Sequence, residues 1–240
     1  MRPSQIAILA AIGVIVAILL ATASWIVLSA TLADDVPEAL WKEQRTRSVA
    51  LDNFTGVEIH GQWEVTIERG DAWAVELSYP AALEKRASAQ VEDKQLVIGN
   101  YTHGLWAPFG DERDRTRMTA RVTMPSLETL GVSGAAKVTF SGFEGPRLSV
   151  AASGATNLRG QSGRYRDLDL VLSGAGSIDL SGVVATNANV VLSGVGSVKL
   201  RLDGGTLRGN ASGAGSIEYS GTVSEERIDK SGAVGIRHTN

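Results

Sequence analysis

The sequence predicts an all-β protein, a β-solenoid (parallel β-helix-like) with coils of about 20 residues, preceded by one N-terminal transmembrane helix. Three observations carry this prediction. A Ser-Gly pair returns six times at a nearly constant interval, an aliphatic residue stands at one fixed offset from every pair, and residues 6–33 carry no charge.

The apolar run comes first. From Ile6 to Ala33 the chain is dominated by Ile, Leu, Val and Ala. A membrane span takes about 20 apolar residues, so this run is long enough. Trp25 suits the membrane–water interface. Arg2 and the amino terminus form a short positive stub, which places the N-terminus in the cytoplasm. Asp34, Asp35 and Glu38 follow the run, with Lys42, Arg45 and Arg47 soon after, so the basic-residue bias is weak. Ala21-Thr22-Ala23 and, more weakly, Thr31-Leu32-Ala33 match a signal-cleavage pattern. The apolar core of a cleaved signal is usually about 7–15 residues, and this one is much longer, so an uncleaved signal anchor is expected. Either reading exports the rest of the chain. The expected location is the cytoplasmic membrane, single-pass, with the C-terminal domain periplasmic or extracellular. The expected organisation is signal anchor 1–33, a charged linker 34–50 containing Pro37, an N-terminal β region 51–125, and solenoid repeats 126–240.

The repeat is the strongest signal. The pairs begin at Ser133, Ser153, Ser173, Ser193, Ser212 and Ser231, with spacings of 20, 20, 20, 19 and 19. Five residues beyond each serine stand Val138, Leu158, Ile178, Val198, Ile217 and Ile236, the column expected of an inward ladder in which each coil covers the next. Two residues beyond stand Ala135, Ala155, Ala175, Val195, Ala214 and Ala233, all small. Before the third pair, Leu168, Leu170 and Leu172 alternate with Asp167, Asp169 and Val171, the period of a half-buried strand. Each coil is therefore expected to hold two short strands joined by a turn at Ser-Gly, where glycine permits positive φ. The column six beyond the serine reads Thr139, Arg159, Asp179, Lys199, Glu218 and Arg237 and should point outward. Its charges alternate in sign, which in-register stacking favours, because opposite charges across neighbouring strands contribute roughly 0.2–1 kcal/mol each. In the last repeat Lys230, Asp229 and His238 make the coil polar, as a modest cap against edge pairing.

Ahead of the repeats, Val57–Ile59, Trp63–Ile67, Ala74–Tyr79, Gln95–Ile98 and Thr119–Met124 read as strands outside the 20-residue unit, with Arg69-Gly70-Asp71 as a hairpin turn. They are expected to form either the opening coils or a small sheet over the solenoid's end. Between Gly99 and Thr119 a long loop holds Tyr101, His103, Trp106 and Phe109, a candidate contact surface, against the alternative of a hairpin extension packed on the sheet.

Chemistry is otherwise sparse. A net charge of −3 gives no broad surface for nucleic acid. The absence of cysteine removes thiol nucleophiles, disulfides and cysteine-ligated metals. His60, His103 and His238 are the three histidines and none stands at ligand spacing with another. The Ser173-Gly174-Ala175-Gly176-Ser177 stretch lacks the lysine of a phosphate loop. No G-x-S-x-G elbow occurs. The expectation is no catalytic residue, no cofactor, no metal and no enzyme.

The recurrent [VL]-x-S-G-A-G-S-[IV] units, preceded by Val122-Thr123-Met124-Pro125-Ser126-Leu127, resemble the bacterial head GIN domain family, described as putative auto-transporter adhesins. The resemblance covers about residues 50–221. It implies an envelope-attached β-helical domain and supplies no catalytic residues. No C-terminal membrane barrel is recognisable after residue 221, so an N-terminal tether is expected instead. The function expected is a non-enzymatic, membrane-tethered envelope protein presenting a solenoid surface for adhesion-like or scaffolding contacts. Its partner would be an envelope protein or a glycan. The alternative is a carbohydrate-binding or carbohydrate-cleaving β-helix using the Tyr101–Phe109 loop.

Overall fold

The computed structural model describes residues 37–85, 87–99 and 118–239, and in it consecutive Ser-Gly pairs stand side by side in a parallel sheet. The strands that carry them are β7 (Thr129–Ser141), β8 (Glu144–Gln161), β9 (Gly163–Asp203), β10 (Thr206–Thr222) and β11 (Glu225–Thr239). Ser133 pairs with Ser153 and Ser153 with Ser173; Ser193 pairs with Ser212 and Ser212 with Ser231. The 41-residue β9 runs through two coils, its first half paired with β8 and its second with β10. The one-residue shortening to 19 falls outside the paired columns, so every side chain keeps its face.

The expected break at Ser-Gly is absent: each strand runs through the pair and bends there. The bend is made by glycine in a conformation with positive φ, +148° at Gly174 and +144° at Gly194. Stacking is close at this column. A Cβ on Gly194 would lie 2.2 Å from the carbonyl oxygen of Gly174. Without side chains the backbones approach and the ladder continues around the corner.

Inside, the column five beyond the serine is buried from Val138 through Leu158, Ile178 and Val198 to Ile217. Ahead of the pair, Leu168, Leu170 and Leu172 are buried as well. Neighbouring layers compensate in volume. Gly160 sits where a Cβ would meet the Phe140 ring at 2.6 Å and Leu180 at 2.7 Å, so large residues in adjoining coils fill its place. In β11, Ile228, Val234 and Ile236 continue the ladder half-buried, while Asp229 and Lys230 are exposed.

The N-terminal region builds further coils. β2 (Gly56–Arg69) pairs in register with β7, placing His60 beside Ser133 and Gly61 beside Gly134. His60-Gly61 thus occupies the Ser-Gly column, with Gly61 also at positive φ. On the other side of β2 lie β5 (Gln95–Ile98) and β6 (Met118–Met124), both parallel to it, together tracing another coil. Antiparallel strands then extend the stack: β3 (Ala74–Pro80) on β6, β1 (Gln44–Val49) on β3, and β4 (Ala89–Glu92) on β5. The opening coils and the covering sheet are therefore both present.

One expectation is corrected here. Arg69-Gly70-Asp71 does not close a hairpin, because β6 lies between β2 and β3 and pairs with both. Within the span 34–50 read as a linker, Glu38–Lys42 form a short helix, α1, and β1 zips onto β3 over six residue pairs. The QRTRSV sequence of β1 is exposed along almost its whole length, and its two arginines suit an outermost strand that must resist further pairing. A 3-10 turn at Ala81–Leu83 buries Ala81 and Leu83 beneath this end. Residues 39–240 form one compact unit, with the core running unbroken across the expected boundary at 125. No helix among the described residues is long and apolar enough to cross a membrane. The run 6–33, where a span is expected, lies outside the described residues.

Candidate contact surface

The outward columns turn the repeat into an ordered polar surface. Along the column six beyond the serine, Arg159 lies 3.3 Å from Asp179 and Lys199 3.6 Å from Glu218, which Arg237 approaches at 4.0 Å. The first strands prolong the same face, the parallel β2–β6 pair bringing Thr66 opposite Arg121 and the antiparallel β6–β3 pair bringing Arg121 opposite Glu76. The alternation read from the sequence is a physical ladder, with one difference. Asp179 turns to Arg159 and to Ser181, whose amide and hydroxyl donate to it at 3.1 and 2.6 Å. Burial pushes the Asp179 carboxyl up, but the Ser181 bonds and Arg159 more than offset this and hold it below the usual carboxylate range.

On the face ahead of the corner, a second network links coils. Asn187 donates to Asp167 at 2.9 Å and its oxygen accepts from the amide of Thr206 at 3.0 Å. The Asn187 and Arg166 hydrogen bonds lower the Asp167 carboxyl as well. Arg147 reaches Asp169 at 3.4 Å and Arg208 reaches Glu225 at 3.0 Å. Two shallow grooves of about 400 and 380 Å³ run over these side chains, sharing Asn189 and Arg208. Both carboxylates, Asp167 and Asp179, have lowered folded-state values, so the stability they add is complete above the ordinary carboxylate range. It is lost as pH falls through their folded values. Thermal unfolding followed by circular dichroism should therefore show Tm falling steadily below about pH 4, with a shallower fall in Asp179→Asn.

At the corner column the structure joins residues that the sequence keeps far apart. The Nδ1 atom of His60 lies 2.6 Å from the Ser133 hydroxyl, across 73 residues of chain, and its Nε2 lies 3.2 Å from Glu58. His60 is only 5% exposed. This serine–histidine–carboxylate line has the order of a hydrolase triad, but its setting is a solenoid corner. Ser133 and Gly134 stand in register between β2 and β8, where backbone amides serve the ladder rather than an oxyanion. The bond is a coil-to-coil tie, as are those of Ser153 to the carbonyl of Val132 and Ser212 to that of Leu192.

Tyr101, His103, Trp106 and Phe109 lie outside the described residues. Their segment departs from Gly99 and returns at Met118, and Met118 is the register partner of Trp63 at the corner. A site the sequence did not single out lies on the first strands. A groove of about 410 Å³ opens between β1, β3 and β6 and is lined by Ser48, Val49, Trp73, Glu76, Arg121 and Thr123. Trp73 is half-buried, its indole nitrogen donating to the carbonyl of Phe54 at 2.9 Å and its ring tilted against that of Phe54. The sequence signal was a lone tryptophan just after a turn. What it lacked was the neighbourhood of β1 and β6. Among the described residues no cluster of His, Asp and Glu could hold a metal ion.

Residues 53–223 match the family described as "Putative auto-transporter adhesin, head GIN domain". Among curated proteins no sequence matches the chain. Solved structures share its fold at low identity. A putative adhesin from Bacteroides fragilis NCTC 9343 superposes with a TM-score of 0.59 at 16% identity, covering 82% of this chain and 98% of that one. A putative adhesin from Parabacteroides distasonis ATCC 8503 gives 0.51 at 16% identity, covering 82% and 97%. One from Parabacteroides merdae ATCC 43184 gives 0.50 at 14% identity, with 82% and 97% covered.

Proposed function

The chain belongs to the head GIN domain family of putative auto-transporter adhesins, and from this premise we propose that it is a non-enzymatic, membrane-tethered adhesion or scaffolding module of the cell envelope. One observation carries the reading: the outer side chains of successive coils stand in register as continuous polar columns on a rigid, unbroken core. Such a surface presents a polar or charged side chain at each strand spacing of about 4.7–4.9 Å, with signs alternating along the column, which suits extended contact with a partner rather than enclosure of a reacting group. The uncharged run 6–33 supports a single-pass tether with the solenoid on the outer side.

Expression of the full chain in a bacterium lacking it tests both parts. Protease added outside spheroplasts should degrade the solenoid while a cytoplasmic marker survives, and attachment of the cells to one another or to a coated surface should rise. A solenoid protected from external protease sinks the tether as drawn here. Attachment equal to that of cells carrying an empty vector sinks the adhesion reading.

A further inference from the structure

We infer that the groove between β1, β3 and β6 is a binding site for an uncharged glycan, with Trp73 as the stacking platform and Glu76 and Arg121 as the hydroxyl-binding pair. This deepens the adhesion-like reading by naming a ligand class, and depends on that reading only for its biological setting.

This groove differs from the other two in how its charged side chains are engaged. Over the later coils the charged side chains meet one another, Arg147 with Asp169 and Arg208 with Glu225, and are occupied in holding coils together. Glu76 and Arg121 face each other across β3 and β6, yet among the described residues neither makes an ion pair or a side-chain hydrogen bond. Both are exposed, and the paired strands beneath them fix where their backbones stand, leaving the two side chains free to turn to a ligand. Val49 and the half-buried Trp73, both packed against the core, line the same groove and add apolar surface to it.

A pyranose ring matches this arrangement. Its C–H face packs on an aromatic ring, and its rim hydroxyls both donate to a carboxylate and accept from a guanidinium. The acid and the base cancel, so the groove offers no net charge to select an ion. The groove's 410 Å³ falls within the range of about 300–1,000 Å³ typical of small-ligand sites. Trp73 is anchored by its bond to Phe54, which leaves the ring orientation set by the fold.

The test uses the full chain in detergent with defined probes: cellohexaose, mannohexaose and galactohexaose, with hexagalacturonate as the charged control. Binding of at least one neutral probe is expected by calorimetry or saturation-transfer NMR. The exposed pair is the first target, since Glu76→Ala with Arg121→Ala should leave Tm unchanged. Binding should weaken by about tenfold or more, the loss expected for one or two hydrogen bonds to charged groups. Trp73→Phe, which retains a ring against Phe54, should weaken it in the same direction. No neutral probe bound, preference for hexagalacturonate, or unchanged affinity in the Glu76/Arg121 variant would each overturn the site. Cell attachment separates this from the broader reading: attachment without neutral-glycan binding removes the groove alone, whereas glycan binding without attachment removes the adhesion role and leaves the site.

Discussion

Replacing Ile178 with Asp is expected to abolish cooperative unfolding of the solenoid. Ile178 is fully buried in the inward column between Leu158 and the following Val198. Burying a carboxylate there without a partner costs several kcal/mol, against a total stability of about 5–15 kcal/mol for a typical domain. Each coil touches only its neighbours, so the loss of one layer divides the stack into two shorter arrays with exposed ends. The neighbouring residue supplies the control. Asp179→Lys removes the contacts to Arg159 and Ser181 on the outer face, and its expected cost is about 1–2 kcal/mol. Circular dichroism melts combined with limited proteolysis would read both. Equal and mild effects at 178 and 179 would contradict the inward and outward assignment.

The second large effect is expected at Gly194. Its φ of +144° disfavours any side chain, and the Cβ of Gly194→Ala would lie 2.2 Å from the oxygen and 2.8 Å from the nitrogen of Gly174. Both obstacles are backbone atoms of the adjoining coil, so relief requires moving two coils apart, and a loss of about 3 kcal/mol or more is expected. Gly204 separates the two causes. It also has positive φ, +88°, but nothing lies within 4 Å of its would-be Cβ. Gly204→Ala should cost only the conformational strain, about 1 kcal/mol. If denaturant unfolding gave the same loss at both positions, close stacking at the corner would not be what selects glycine.

These positions also show how legible the molecule was. The coil period, the inward column from Val138 to Ile236 and the alternating outer charges were all read directly, because each residue's role repeats at a fixed offset. The corner was read less well. Glycine announced a bend, but whether the strand stopped or ran through depended on how near the next coil lies. Whether the early strands open the solenoid or cover its end was left open, because β2 carries His60-Gly61 instead of Ser-Gly and is separated from β7 by a long inserted segment. The same insertion made Arg69-Gly70-Asp71 look like a hairpin, since nothing local tells that β6 slides between β2 and β3.

By itself, then, the sequence determined the solenoid and the facing of its repeats, since a period is a local property that survives without knowledge of any partner. Only the tertiary structure decided which non-repeating strands join which edge. It alone placed His60 on Ser133 and brought β1 and β6 around Trp73. Those contacts bridge long stretches of chain and depend on which strand edge remains open, a choice fixed by packing of the whole stack rather than by any local pattern.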